Sequence, residues 1–252
     1  MTRLVLGGTG YLGRELVGRW GAVGLSSRDV DIRDAAAVDA LFASIRPSDV
    51  VNAAYRQDDR ATTCDGAVHV AAAAAATGAR LMQLSTDVVF DGEKGEPYTE
   101  ADEPTPLTDY GRAKADAERG VLAACPAALV VRTSLIYGGD RPGPQERMAA
   151  DPGATFFSDE VRCPIQVGDL AGALIELAAT ERSGLLHVAG ADRLSRAEFA
   201  ELLAGRPVRA ATVASSGLIR SRDCSLATEP AQGLLHTRLR GAREVLKGRR
   251  AP

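Results

Sequence analysis

Short apolar runs alternate along the chain with segments whose apolar residues recur at a helical period. Turn residues separate the two kinds of segment. Arg3-Leu4-Val5-Leu6 reads as a buried strand. It runs into Gly7-Gly8-Thr9-Gly10-Tyr11-Leu12-Gly13, and Arg14 to Trp20 continues as a helix. Ala22 to Leu25 reads as a second strand and Ala35 to Ile45 as a helix closed by Pro47. Asp49 to Tyr55 is a third strand with its C-terminal loop. Ala61 to Thr77 is an alanine-rich helix stopped by Gly78. Leu81 to Leu84 is a fourth strand, leaving the sheet at Ser85-Thr86-Asp87. A Pro/Gly/Glu-rich loop, Glu93 to Thr108, delivers the chain to a helix over Asp109 to Val121. Ala128 to Val131 follows as a fifth strand. Strictly alternating strands and helices predict an α/β fold around a parallel sheet.

The alternation weakens from Asp140. Arg141-Pro142-Gly143-Pro144 reads as a loop, Phe156-Phe157 and Val161 to Ile165 as short strands, and Gly168 to Thr180 as an apolar helix. Gly184 to Val188 is a strand. Ser195 to Ala204 is a helix opened by a Ser-x-x-Glu capping box (Ser195, Glu198). One more helix is expected near Leu239 to Lys247. The expected division is a first domain over 1–137 with a returning segment at about 166–190, and a small second domain over 138–165 and 191–252.

The 252 residues suffice for one large α/β domain. A net charge of −3 and a pI near 5.7 argue against nucleic acid as a partner of the whole molecule. From Gly205 onward, however, ten Arg and Lys stand against three Asp and Glu. That segment either faces an anionic ligand such as a diphosphate or pairs with the acidic remainder. Cys64, Cys125, Cys163 and Cys224 are far apart, as are His69, His187 and His236, so neither a disulfide frame nor a metal site is expected. No apolar run is long enough to span a bilayer, and no leader precedes the first strand. The expectation is a cytoplasmic protein without membrane partners, monomeric or homodimeric.

Strand, glycine turn and helix are what a dinucleotide-binding unit requires. Gly7, Gly10 and Gly13 permit a tight turn and close helix–strand packing, and the helix N-terminus, with Tyr11 and Leu12, faces the diphosphate. At the end of the second strand an acidic residue would chelate the ribose hydroxyls of NAD. Ser26-Ser27-Arg28 stands there instead and favours the 2′-phosphate of NADP, unless Arg28 is simply solvated. Asp31 and Ile32 are placed to flank the adenine. The small residues Ala53 and Ala54, with Tyr55, let a cofactor lie across the sheet edge. Tyr110 and Lys114 are four apart on a helix and share a face. A cation beside a phenol stabilises phenolate, which suits proton exchange with a carbonyl or alcohol oxygen. The same spacing alone also fits an exposed amphipathic face.

In combination these stretches resemble the extended short-chain dehydrogenase/reductases, and among them the dTDP-4-dehydrorhamnose reductase family. The resemblance rests on Gly7 to Gly13, Ser85-Thr86-Asp87-Val88-Val89-Phe90-Asp91-Gly92, Pro106 to Lys114, Arg132-Thr133-Ser134 with Tyr137-Gly138, Arg162-x-Pro164 with Asp169-Leu170-Ala171, and His187-x-x-Gly190. It implies a Rossmann-like doubly wound parallel sheet with a small C-terminal substrate-binding lid. It also implies NADP(H) in preference to NAD(H), a sugar-nucleotide substrate, and a catalytic trio of Thr86, Tyr110 and Lys114. Asp87 then orients a sugar hydroxyl or caps its loop. The family commonly has Tyr at Val88 and Trp at Leu135, two positions that shape the sugar pocket, and an Asn where Thr63-Cys64 stands. Two other readings stay open. One is a regulatory subunit that binds NADP without turnover. The other is an epimerase or dehydratase, although a dehydratase needs an acid/base pair where this chain has Asp87-Val88.

Overall fold

The structure, a computed structural model, describes residues 1–247. The chain divides into two compact units. The first comprises Met1–Thr86, Asp109–Arg132 and Leu174–Leu186, and the second comprises Asp87–Thr108, Thr133–Ala173 and the chain from His187. Residues 87–108, 133–137, 166–173 and 187–190 thus cluster with the second unit, not with the first domain in which the sequence pattern places them. Residues 248–252 of the expected second domain lie outside the described residues.

The first unit follows the pattern closely. Its strands are β1 (Arg3–Leu6), β2 (Val23–Leu25), β3 (Asp49–Asn52), β4 (Arg80–Thr86) and β5 (Leu129–Thr133), and its helices are α1 (Tyr11–Trp20), α2 (Ala35–Ile45), α3 (Gly66–Thr77) and α4 (Asp109–Ala124). The strands form a six-stranded sheet in the order β2, β1, β3, β4, β5 and Gly184–His187. The β1–β2, β1–β3 and β3–β4 pairs are parallel, with Leu6 beside Leu25 on one side and Asn52 on the other. Val5, Val50, Val51, Leu81 and Val130 are fully or almost fully buried, as expected for a sheet covered on both faces.

Local chemistry sets the helix ends. Asp34 caps α2 by accepting from the Ala37 N–H, and Gly78 closes α3 in the left-handed region. Small residues let α3 and α4 approach closely: a Cβ on Gly120 would sit 2.5 Å from the Val68 side chain. The helix expected from Ala61 opens as a π-helical turn, Ala61–Asp65, before α3 begins. There the Thr63 hydroxyl donates to the Arg56 carbonyl and accepts from the Arg56 N–H, which pins the loop after β3.

The second unit holds short paired strands. Ile136–Tyr137 runs parallel to Ile165–Gln166, Thr155–Phe157 parallel to Arg209–Ala211, and Val161–Arg162 antiparallel to Leu194–Ser195. The capping box of Ser195 and Glu198 forms as expected and opens the helix Arg196–Ala204. Several pieces differ from expectation, among them a short helix at Val213–Ser216. A helix, Pro144–Ala150, starts inside the expected loop with proline in its first turn. The strand Arg209–Ala211 and the helix Glu229–Leu234 lie in sequence with no periodic apolar pattern. The four cysteines are free and buried, and among the described residues no helix is long and apolar enough to cross a membrane.

Candidate active site

The chain leaves β2 at one edge of the sheet and returns as β3 on the opposite side of β1. Loops leaving β1 and β3 therefore diverge, and ligands of open parallel sheets bind in such a crevice. The glycine turn is built for it. Gly7 adopts φ +81°, and a Cβ there would meet the Ala53 carbonyl carbon and the Ala54 nitrogen at 2.9 Å. A Cβ on Gly13 would lie 2.1 Å from the Gly7 carbonyl oxygen, so α1 can start against the turn only without a side chain. The N-cap of α1 is Gly10, which has no side chain to cap it.

A cavity of about 360 Å³ opens at this place, lined from the sequence-based candidates by Gly7, Gly10, Ser26, Ser27, Asp31, Ile32, Ala53, Ala54 and Tyr55. Tyr11, Leu12 and Arg28 are not among its lining. Leu12 turns into the core, and Arg28 is exposed, its backbone N–H donating to the Ser26 hydroxyl. The Ser26 hydroxyl in turn donates to Asp29, whose carboxylate also accepts the Ser26 N–H and holds the turn after β2. Thr9, Val30, Arg33, Arg56 and Thr62 join the lining and were not singled out from sequence. The signal for Arg33 was its position two residues after Asp31, and for Arg56 its place directly after Tyr55.

Tyr110 and Lys114 lie on the first two turns of α4, as their spacing predicts. The Lys114 ammonium is buried; it donates to the Leu84 carbonyl at 3.0 Å and stands 5.1 Å from the centre of the Tyr55 ring. The Tyr55 ring is 5.8 Å from that of Tyr110. Tyr55 therefore touches both the cavity at the glycine turn and the Tyr–Lys pair. Burial pushes the Lys114 ammonium down to about 8, partly opposed by the Glu118 carboxylate. One turn further along α4, Glu118 accepts a two-pronged hydrogen bond from the buried Arg132 guanidinium and another from the Ser85 hydroxyl. Sequence reasoning missed this carboxylate, although Glu118 continues the spacing of four. Thr86 ends β4, two residues beyond the carbonyl that receives Lys114.

The second unit carries the remaining candidates. The Asp87 carboxylate is buried, accepts from the Ser134 hydroxyl at 2.5 Å and lies 3.7 Å from the Arg162 Nε. Val88 is half-buried. Leu135 packs against the cluster of Tyr137, Leu194, Phe199, Ala242 and Leu246, so it is core as well as a candidate wall. Among the described residues no group of His, Cys, Asp and Glu has the makings of a metal site.

The family model described as RmlD substrate binding domain matches residues 1–240. The chain belongs to this family. Membership agrees with the extended short-chain dehydrogenase/reductase motifs read from the sequence. A dTDP-4-dehydrorhamnose reductase of Mycobacterium tuberculosis is 39% identical over 221 residues, covering 77% of this chain and 72% of that one. A probable dTDP-4,6-dihydroxy-2-methyloxan-3-one 4-ketoreductase of Streptomyces antibioticus is 34% identical, covering 96% and 89%. A dTDP-4-dehydrorhamnose reductase of Clostridium acetobutylicum superposes with a TM-score of 0.89 at 27% identity, covering 98% and 97%.

Proposed function

We propose that this RmlD-family protein is an NADPH-dependent oxidoreductase that reduces a keto-deoxysugar nucleotide. The observation that carries the reading is the placement of Tyr55, which lines the cavity at the glycine turn and touches both Tyr110 and Lys114. The residues present fit a dinucleotide. The glycine turn leaves room where side chains would intrude, the N-terminus of α1 has no side-chain cap, and the cavity sits where the strand order reverses. Gly7, Gly10, Ser26, Ser27, Asp31, Ile32, Ala53, Ala54 and Tyr55 would hold it. When bound, the reduced nicotinamide supplies a hydride to a carbonyl carbon.

The chain's own residues handle the proton. Tyr110 donates its phenolic proton to the carbonyl oxygen, which becomes the product hydroxyl, and solvent reprotonates the phenolate. Lys114 supplies the neighbouring positive charge that favours this transfer, and would help to hold the nicotinamide ribose when the cofactor is bound. Thr86 hydrogen-bonds the carbonyl oxygen before transfer. In the second unit, taken as the substrate-binding part, Asp87, which accepts from Ser134, orients a sugar hydroxyl. Val88 and Leu135 contribute aliphatic walls. The four buried free thiols fit a reducing compartment such as the cytoplasm. The names of the relatives support the substrate class.

The test is NADPH consumption across a panel of keto-sugar nucleotides, with Tyr110→Phe as control. The expected result is turnover of at least one keto-deoxysugar nucleotide, lowered by on the order of 10²–10⁴ in the variant. Tight NADPH binding without turnover of any panel member would select the regulatory-subunit reading instead.

A further inference from the structure

Two neighbours hold the Lys114 ammonium in the first unit. The side chain is buried, and its Nζ donates to the Leu84 carbonyl at 3.0 Å. The second neighbour is the Tyr55 ring, whose centre lies 5.1 Å from Nζ, within reach of a cation–π contact. Tyr55 is itself 53% exposed, so its ring needs an anchor to stay at this contact. The next residue supplies one. Thr63 donates to the Arg56 carbonyl at 2.6 Å and accepts from the Arg56 N–H at 3.0 Å. Thr63 is buried in the π-helical turn Ala61–Asp65, a kind of turn that recurs at functional sites. The N-cap of that turn, Arg60, pairs with Asp116 at 2.5 Å, two residues beyond Lys114 on α4. One wide turn thus links the loop that carries Tyr55 to the helix that carries Lys114.

A buried ammonium with one carbonyl partner is short of stabilising contacts. The negative face of an aromatic ring supplies one, and it is stronger when both groups are withdrawn from water. Few charged or titratable groups face Lys114. Glu118 stands one turn further along α4 and is itself bound to Arg132 of β5 and Ser85 of β4. It offsets only part of the burial that drives the ammonium towards its neutral form. Tyr110 lies one turn back on α4, with its ring 5.8 Å from that of Tyr55. Tyr55 is the group that reaches the lysine from the loop after β3.

We propose that Tyr55 is a positioning residue for Lys114: its ring face holds the ammonium, charged, beside Tyr110, and Thr63 holds the ring there through the Arg56 main chain. The catalytic consequence rests on the oxidoreductase reading given above, whereas the contact itself does not. Tyr55 thereby acts on the lysine as well as lining the cavity, and Thr63 gains a task at the site.

Four variants test this, with thermal melts to establish that each is folded. Tyr55→Phe keeps the ring face, and Tyr55→Leu keeps apolar bulk without it. Thr63→Val removes the hydroxyl, and Thr63→Ser retains it; Thr63→Ala serves if Thr63→Val does not fold. One readout is kcat/KM for the best keto-sugar nucleotide at saturating NADPH, followed against pH. The other is urea denaturation of the cofactor-free chain at pH 7 and 9.5. Tyr55→Phe and Thr63→Ser should match wild type in both. Tyr55→Leu should lower kcat/KM about fivefold near pH 8, the size expected when a contact of this kind is lost, and should move its alkaline fall to lower pH. Its gain in stability from pH 7 to 9.5 should exceed that of Tyr55→Phe, because the folded state holds the proton less well. Thr63→Val should shift both readouts in the same direction. Tyr55→Leu matching Tyr55→Phe, an alkaline fall moved to higher pH, or Thr63→Val matching wild type would each overturn the proposal. So would a raised KM for NADPH with the alkaline fall unmoved, which would assign Tyr55 to the cofactor alone. Absence of turnover by the unmodified chain would instead overturn the oxidoreductase reading, and the stability readout would still decide the contact.

Discussion

Replacing Lys114 by methionine should stabilise the protein at neutral pH while abolishing its chemistry. The side chain is almost wholly buried, and burial lowers its ammonium from 10.5 to about 8. At pH 7 the folded protein therefore carries a charge that it holds less well than the unfolded chain does, at a cost of about 3 kcal/mol. Between 8 and 10.5 the unfolded chain binds the extra proton, so stability from this group rises with pH across that window, and at pH 9.5 only about 1 kcal/mol of the cost remains. Methionine fits the volume and needs no charge. It forfeits the hydrogen bond to the Leu84 carbonyl, about 1 kcal/mol, while Glu118 stays paired with Arg132. The expected gain is about 2 kcal/mol at pH 7, shrinking to about zero at pH 9.5. Urea denaturation of both proteins at the two pH values measures this. A gap that stays the same between pH 7 and 9.5 would refute the buried-cation reasoning, and so would a variant less stable than wild type at pH 7.

The same titration should make kcat/KM fall above about pH 8, because the deprotonated lysine no longer favours proton transfer from Tyr110; a pH–rate profile flat to pH 10 would contradict it. Gly13→Ala places a Cβ 2.1 Å from the Gly7 carbonyl oxygen and 2.8 Å from the Gly8 Cα, so α1 must move off the turn. A loss of at least about 2 kcal/mol in stability, together with lost dinucleotide affinity, is expected by denaturation and calorimetry, and a near-wild-type result in both would refute the packing argument. Leu135→Trp should destabilise by about 1–3 kcal/mol, because the position already packs on Tyr137 and Phe199. The half-buried Val88→Tyr should be tolerated within about 1 kcal/mol and is the better place to restore an aromatic wall; thermal melts of the two variants compare them directly.

The sequence by itself determined what depends on local backbone and period. Gly7, Gly10 and Gly13 announced a turn because a strand, a tight reversal and a helix within so few residues need them. The buried runs Leu4 to Leu6 and Leu81 to Leu84 announced strands, and the spacing of Tyr110 and Lys114 placed both on one helix face. The capping box at Ser195 and Glu198 was equally local. Tertiary structure decided the rest, because it depends on contacts between residues far apart in the chain. Crossing from β2 over β1 to β3 brings Arg33 and Arg56 to the wall of one cavity and leaves Arg28 outside it. No local period reports that. Pairing of Glu118 with Arg132 and Ser85 required a helix to settle against β4 and β5. The strand Arg209–Ala211 exists because Thr155–Phe157 offers it an edge: its own residues are exposed or half-buried and carry no apolar pattern. Residues 87–108 joined the second unit for a similar reason. Their glycine, proline and acidic residues form no regular element with a periodic face, and their place is fixed by distant partners such as Ser221, which donates to the Phe90 carbonyl.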